Sequence, residues 1–95
     1  MKSLLHIGFT FRGPPKVKEL EPVFDKALAW VRYAPNCWLV QTTATPERWL
    51  GRLKLYLGPK DLVCIVELTP NTFNGILPQW IWDWIEEHQP KPRSR

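Results

Sequence analysis

The sequence predicts an α+β fold of the α/β-sandwich kind, in which helices cover a single sheet. Stretches with the two-residue alternation of strands take turns with stretches whose apolar residues recur at helical spacing. Proline and glycine separate these stretches. The chain has 95 residues, of which 44% are hydrophobic, enough for one hydrophobic core. We therefore expect one domain over residues 1–90.

The first strand and the first helix are predicted in the N-terminal third. Residues 3–11 alternate apolar and polar side chains, and Gly13-Pro14-Pro15 ends the strand. Residues 17–31 carry an apolar stripe at helical spacing. Because a proline is tolerated only in the first turn of a helix, Pro22 predicts that the regular helix begins near residues 19–21.

Two nearly all-apolar segments predict central strands. Residues 37–42 and 62–69 have the composition of strands that are buried on both faces. The short segment 32–36 before the turn at Pro35-Asn36 is ambiguous and is compatible with a brief strand.

Two further helices are predicted in the C-terminal half. Thr45-Pro46-Glu47 is a typical helix start, and Gly58-Pro59 a typical end. A last helix is predicted from Leu77-Pro78 to about His88, and residues 91–95 are expected to form a basic, disordered tail. The resulting order favours a ferredoxin-like, split βαβ arrangement with an extra C-terminal helix.

Composition narrows the classes of function. The net charge is +4 and the pI is near 9.3, which favours nucleic acid or an acidic protein as partner. Lys91, Arg93 and Arg95 supply three of these charges, so a solubilising tail is the alternative. We expect neither a signal peptide nor a membrane span.

The two cysteines and the absence of ligand motifs limit cofactor chemistry. Cys37 and Cys64 lie in apolar strand-like runs, which predicts two buried free thiols and a cytoplasmic location. The sequence has no CxxC and no Cys/His cluster, so no structural zinc site is expected. No cofactor and no small-molecule substrate are evident.

Three segments carry a family resemblance. They are the strand Cys37–Thr42, the helix that opens at Thr45-Pro46-Glu47 and contains Arg52-Leu53, and the strand Asp61–Leu68. Together they resemble the SinR-like proteins, which are similar to the small CRISPR-associated endoribonuclease-like proteins of the Cas-two type. The resemblance covers residues 36–87 well and residues 4–35 loosely. It implies a ferredoxin-like fold and often a homodimer.

The chain departs from the nuclease-like members of that family at the end of the first strand. Those members end the strand in a metal-binding aspartate, and the corresponding position here is Thr10. A neutral hydroxyl is a poor ligand for Mg²⁺, and without the ion the transition state of phosphoryl transfer loses stabilisation. The resemblance therefore favours the fold and disfavours the catalytic activity.

Basic side chains are the candidate contacts to nucleic acid. Arg48 and Arg52 lie one turn apart on the second predicted helix, and Arg12 and Lys16 flank the turn at residues 13–15. For both pairs a solvated surface charge is the alternative. That turn has one glycine and does not match a phosphate-cradling loop.

Four other residues have both a functional and a structural interpretation. His6 is either a general base or a structural strand histidine. Glu67 and Asp61 are candidate carboxylates for a metal, or a salt-bridged strand residue and a turn residue. Trp82 either contacts a partner as an exposed hot spot or covers another region of the sheet. Because Cys37 and Cys64 are predicted to be buried, no nucleophile triad can be assembled.

These observations lead to three expectations for function. The first is a non-catalytic module that binds nucleic acid or another protein as a homodimer. The second is a metal-dependent endonuclease that takes its carboxylates from Asp61 or Glu67. The third is a toxin–antitoxin or phage-defence component that acts by protein contact through Trp82.

Overall fold

The computed structural model describes residues 1–90 and contains four strands and three helices. In chain order these are β1 (Ser3–Thr10), α1 (Val17–Phe24), β2 (Ala29–Ala34), β3 (Cys37–Thr42), α2 (Pro46–Leu53), β4 (Leu62–Leu68) and α3 (Gln79–His88), with a short 3-10 turn at Lys54–Tyr56 after α2. The prediction of an α+β fold is confirmed. The predicted basic tail, residues 91–95, lies outside the described residues.

The four strands form one antiparallel sheet in the order β2-β3-β1-β4. In the register, Ile7 of β1 lies opposite Trp38 of β3 and Ile65 of β4. Because side chains alternate between the two faces of a strand, this register gives each face of the sheet its own set of residues.

Helices α1 and α2 cover one face of the sheet, and the larger core lies there. Its ten buried residues are mostly aliphatic and aromatic: Leu5, Ile7, Phe9, Leu20, Val23, Phe24, Trp38, Val40, Trp49 and Leu53. Phe24 stacks on Trp38 at a ring-centroid distance of 4.8 Å. The Trp49 Nε1–H donates a 3.0 Å hydrogen bond to Thr42 Oγ1, so the one polar residue buried beside this core is satisfied.

Helix α3 covers part of the opposite face. Leu4 of β1 and Leu39 of β3 are buried there against Ile81 and Ile85 of α3. Gln41 Nε2 donates a 2.9 Å hydrogen bond to the His88 carbonyl oxygen, which joins β3 to the end of the helix. Among residues 1–90 no helix is long and apolar enough for a membrane span.

The first helix differs from its prediction at both ends. It begins at Val17 rather than near residues 19–21, and it ends at Phe24 rather than at residue 31. Pro22 lies inside the helix and has no N–H to donate, which weakens its second turn. The chain then turns, and the Leu28 N–H donates to the Gln41 carbonyl oxygen at 2.9 Å. The segment 29–34 thus forms a strand that pairs with β3. Its backbone makes hydrogen bonds in the sheet instead of continuing the helix.

The strand β3 has its predicted bounds and is central, but β4 is not central. Within residues 1–90, β4 pairs only with β1 and forms an edge of the sheet. Its apolar side chains are therefore partly solvated: 64% of Leu62 and 46% of Val66 are exposed. An apolar composition indicates what a strand can bury, but its position in the sheet decides how much it buries.

The two cysteines are free thiols, as predicted, but only one is shielded. Cys37 is half-buried, whereas Cys64 on the edge strand is exposed, so the prediction that both are buried is wrong for Cys64. Both lie opposite Gly8, on strands to either side of it. Two inter-strand spacings separate their Cα atoms by about 10 Å, too far for a disulfide.

Candidate functional site

Three cations line one groove between α1 and α2. Lys26 follows α1, and Arg48 and Arg52 lie on α2; Val23, Leu55 and Tyr56 supply the less polar wall of the groove. Its volume is about 260 Å³. The groove thus combines positive charge with a concave surface, which suits an anionic group.

The start of α2 determines where its two arginines lie. The Thr45 hydroxyl oxygen accepts a 3.2 Å hydrogen bond from the Arg48 backbone N–H and caps the helix. Trp49 is buried in the core and fixes the rotation of the helix. Arg48 and Arg52 are then four residues apart, about 6 Å along the axis, on the same side of α2.

Arg52 is held in place by the core rather than by a carboxylate. Its guanidinium carbon lies 4.9 Å from the centre of the Trp49 ring, a cation–π contact. Its Nη1 is buried and has no hydrogen-bond partner among residues 1–90. A cation that is positioned in advance loses less side-chain entropy when an anion binds.

The predicted pair Arg12 and Lys16 lies beside the same part of the molecule. Lys16 Nζ donates a 3.0 Å hydrogen bond to the carbonyl oxygen of Tyr56, the residue that also lines the groove. The Arg12 backbone N–H donates to Asp61 Oδ1 at 2.9 Å. The fold thus brings the Lys16 side chain next to the groove of Arg48 and Arg52, while Arg12 adjoins an acidic residue.

Asp61 works as a clamp between two loops. Its Oδ1 accepts from Arg12 N–H and its Oδ2 accepts from Gly58 N–H at 2.8 Å. These two backbone hydrogen bonds hold the pKa of Asp61 below its usual value, and the positive charges of Lys16 and Arg12 add to the effect. For Asp61 the sequence offered two interpretations, a metal ligand and a turn residue. This geometry is consistent with the turn residue.

The two candidate carboxylates for a metal lie far apart in the chain described. Asp61 directly precedes β4 and Glu67 lies near its other end, a separation of roughly 20 Å along an extended strand. Thr10, at the end of β1, lies opposite Leu62. Residues 1–90 contain no group of three or more His, Cys, Asp or Glu side chains that could hold a metal ion.

A second concave site lies between the sheet and α3, on the face opposite the cationic groove. The pocket has a volume of about 290 Å³, and His6 and Tyr33 contribute its polar side chains on the sheet. His6 Nε2 and the Tyr33 hydroxyl share a 2.5 Å hydrogen bond. The structural interpretation of His6 therefore has a specific partner, which the sequence did not suggest.

Burial sets the protonation of this pair. Loss of hydration lowers the pKa of His6 below 6.5. Loss of hydration also raises the pKa of Tyr33 to about 12, and the neighbouring Cys37 thiol contributes to the rise. Both side chains are consequently neutral at physiological pH.

Trp82 packs against the sheet, and a different tryptophan is exposed. Trp82 is half-buried beside the core of α3 and lines the pocket with His6. This position agrees with the alternative that it covers another region of the sheet. Trp80, near the start of α3, is 58% exposed, because Ile81 and Ile85 make the contact of α3 with the sheet.

Two residues of these sites were not anticipated from sequence. Lys26 belongs to the polar side of the first predicted helix, and only the packing of α1 on α2 brings it to Arg48. Tyr33 was assigned to an ambiguous segment, and its contact with His6 crosses β3.

Comparison with protein-family models, with curated proteins and with solved structures found no match for the chain.

Proposed function

We propose that this protein is a non-catalytic module that binds nucleic acid through its phosphates, using the cationic groove between α1 and α2. The observation that carries the proposal is the convergence of Lys26, Arg48 and Arg52 on one concave surface. Lys16, beside Tyr56, extends the positive surface. Arginines at fixed positions suit phosphate oxygens because the guanidinium donates two parallel hydrogen bonds.

The framework we infer is ferredoxin-like. Its support is the order strand–helix–strand–strand–helix–strand together with the antiparallel sheet order β2-β3-β1-β4. In this framework α1 and α2 are adjacent, so a groove between them is a product of the fold. The proposal includes a cytoplasmic location, which the free thiols of Cys37 and Cys64 support.

The absence of catalysis is part of the proposal and rests on the carboxylates. By the resemblance given above, Thr10 corresponds to the metal-binding aspartate of the Cas-two type, and both oxygens of Asp61 accept backbone hydrogen bonds. We expect no Mg²⁺-dependent cleavage of RNA or DNA. Cleavage that stops on chelation and in Asp61→Ala would contradict this part and favour the endonuclease.

Fluorescence anisotropy with labelled single- and double-stranded RNA and DNA tests the binding. The affinity should fall steeply between low and moderate salt. Each phosphate that the protein neutralises contributes about −0.9 on duplex DNA, and about −0.7 on single strands, to the slope of log binding constant against log salt concentration. Binding that is absent at low salt for all four probes would overturn the proposal.

Matched variants locate the contact. Arg48→Gln and Lys26→Gln each remove one positive charge from the groove. Each should reduce the magnitude of the slope of log binding constant against log salt concentration by about one. Lys18→Gln removes the same charge from an exposed position of α1 outside the groove and serves as the control. Equal losses in all three variants would show that net charge, and not the groove, drives binding.

We further propose that two copies of the chain pair through β4. The support is an edge strand of almost wholly apolar sequence, with Leu62, Cys64 and Val66 exposed on one face. Proteins normally protect such edges with charge, and here Glu67 is the one charged residue of the strand. Antiparallel pairing of two β4 strands would cover the edge and build one continuous sheet.

Sedimentation velocity over a range of concentrations tests the pairing. The wild type should sediment as a dimer, and Val66→Lys should sediment as a monomer because it places a charge on the pairing strand. Leu55→Lys, at a residue that is 79% exposed outside β4, is the matched control and should remain dimeric. A monomeric wild type at high concentration would refute the dimer.

A further inference from the structure

We propose that the pocket between the sheet and α3 binds a small, neutral aromatic molecule. This site is separate from the cationic groove, because the two lie against opposite faces of the sheet. Its residues come from all four strands, the loop after β4, and α3. The inference does not depend on the proposed binding of nucleic acid.

The size of the pocket limits the ligand. Its volume is about 290 Å³, just below the range for small-molecule sites, roughly 300–1,000 Å³. A dry cavity of about 150 Å³ is enough for benzene. The pocket therefore suits a ligand of one or two rings and excludes a large cofactor.

The lining of the pocket is aromatic. Tyr33 on β2, Phe73 in the loop after β4, and Trp82 on α3 contribute three rings from three elements, and the His6 imidazole adds a fourth. Aromatic side chains that surround a space favour an aromatic occupant, since offset-stacked and edge-to-face contacts add to the burial of apolar area.

The charge of the pocket specifies a neutral ligand. Among residues 1–90, the lining contains no Asp, Glu, Lys or Arg, and the His6–Tyr33 pair is neutral. A charged ligand would lose its hydration without gaining a counter-charge. The Tyr33 hydroxyl and the side chain of Asn74 provide hydrogen bonds for a ring that carries one polar atom.

Indole is a suitable probe because it is neutral, has two rings and carries a single N–H. A ¹H–¹⁵N correlation spectrum of the full chain contains one side-chain N–H signal for each of its six tryptophans. The signal of Trp82 is a local reporter of the pocket. Titration with indole should shift that signal and the backbone signals of residues 73–77 with one saturating curve.

Two tryptophans on α3 provide a matched pair of variants. Trp82→Leu removes an aromatic wall and should weaken indole binding at least fivefold, whereas Trp80→Leu changes an exposed residue outside the pocket and should leave affinity unchanged. Phe73→Leu repeats the test in the loop after β4, at an aromatic wall outside the helices. It also should weaken binding at least fivefold.

Two analogues of indole test the chemistry. Indole-3-acetate carries a carboxylate, and cyclohexanol has a hydroxyl but no aromatic ring; both should bind at least fivefold more weakly than indole. The inference is overturned if indole causes no saturable shift, if the shifts map away from the pocket, or if Trp80→Leu weakens binding as much as Trp82→Leu. It is also overturned if either analogue binds as well as indole.

Discussion

Asp61 shows how one side chain can connect two loops. Its two oxygens accept N–H groups from the turn after β1 and from the loop before β4. A neutral hydroxyl or methyl at this position would leave at least one of these backbone donors without its acceptor. The sequence left a metal ligand and a turn residue as alternatives for Asp61, and its two backbone hydrogen bonds are consistent with the turn residue.

Replacement of Asp61 should lower thermal stability in a graded way. Asp61→Asn keeps one acceptor oxygen and Asp61→Ala keeps none, so the melting temperature should decrease in the order wild type, Asn, Ala. Because the folded-state pKa is depressed, the ionised carboxylate stabilises the fold above its unfolded pKa, and this contribution is lost as pH falls through the folded pKa. Thermal melts by circular dichroism measure both effects, and equal melting temperatures for the three proteins would refute the clamp.

His6 should make stability depend on pH in the mildly acidic range. Burial depresses its folded-state pKa below 6.5, so the unfolded chain binds a proton first as pH falls. Stability is then greatest above about pH 6.5 and decreases as pH falls toward the folded pKa. Urea unfolding between about pH 7.5 and pH 5 measures the decrease.

The variant His6→Gln isolates this contribution. Glutamine can still bond to the Tyr33 hydroxyl but does not titrate, and the other histidine, His88, is present in both proteins. The difference in unfolding free energy between the wild type and His6→Gln should therefore narrow as pH falls. A constant difference across the range would show that protonation of His6 does not affect folding.

At the scale of elements, α2 is the helix whose start the sequence predicts best, although the helix ends at Leu53 rather than at the predicted stop Gly58-Pro59. A threonine cap, a proline at the first position, and buried apolar residues at helical spacing all favour the same helix. The first helix lacks this agreement, because Lys16 at its N-cap makes no side-chain cap and Pro22 interrupts it. The segment after it consequently joins the sheet.

Loss of the α2 cap should lower the free energy of unfolding. Thr45→Ala removes the hydroxyl that accepts from Arg48 N–H, which typically costs about 1 kcal/mol. Thr43→Ala, an exposed residue nearby, is the matched control and should change stability little. Urea denaturation of the two variants checks the prediction, which fails if their unfolding free energies are equal.

At the scale of the whole molecule, residues 1–90 form two cores of unequal size on one sheet. Ten buried residues lie on the face of α1 and α2, and four lie on the face of α3. Since local stability follows the amount of buried apolar contact, α3 depends on the smaller core. This inequality is a property of the assembled sheet and is not visible in any single segment.

Native-state hydrogen exchange should therefore release α3 before the sheet. Backbone amides of Gln79–His88 should exchange at lower denaturant than those of β1 and β3, which carry residues of both cores. The amides of β1 and β3 serve as the control, because they are measured in the same sample as those of α3. Equal protection of α3 and β3 would show that the two cores unfold as one unit.

Much of the fold follows from local patterns. The bounds of β3, the start of α2 and the approximate extents of β1, β4 and α3 all follow from alternation, helical spacing and capping residues. The end of α1 does not, because Val31 fits a helical stripe as well as a strand. A growing sheet offers β2 more hydrogen bonds and burial than the end of a helix does.

The sequence by itself determined the kind and order of the elements other than β2, and the positions of Arg48 and Arg52 on one helix face, because these depend on neighbours along the chain. Only the tertiary structure decided that β4 is an edge, that Lys26 joins the groove, and that His6 meets Tyr33. Those outcomes depend on which strands and helices become adjacent. Adjacency is set by packing between residues distant in sequence, which local periodicity does not encode.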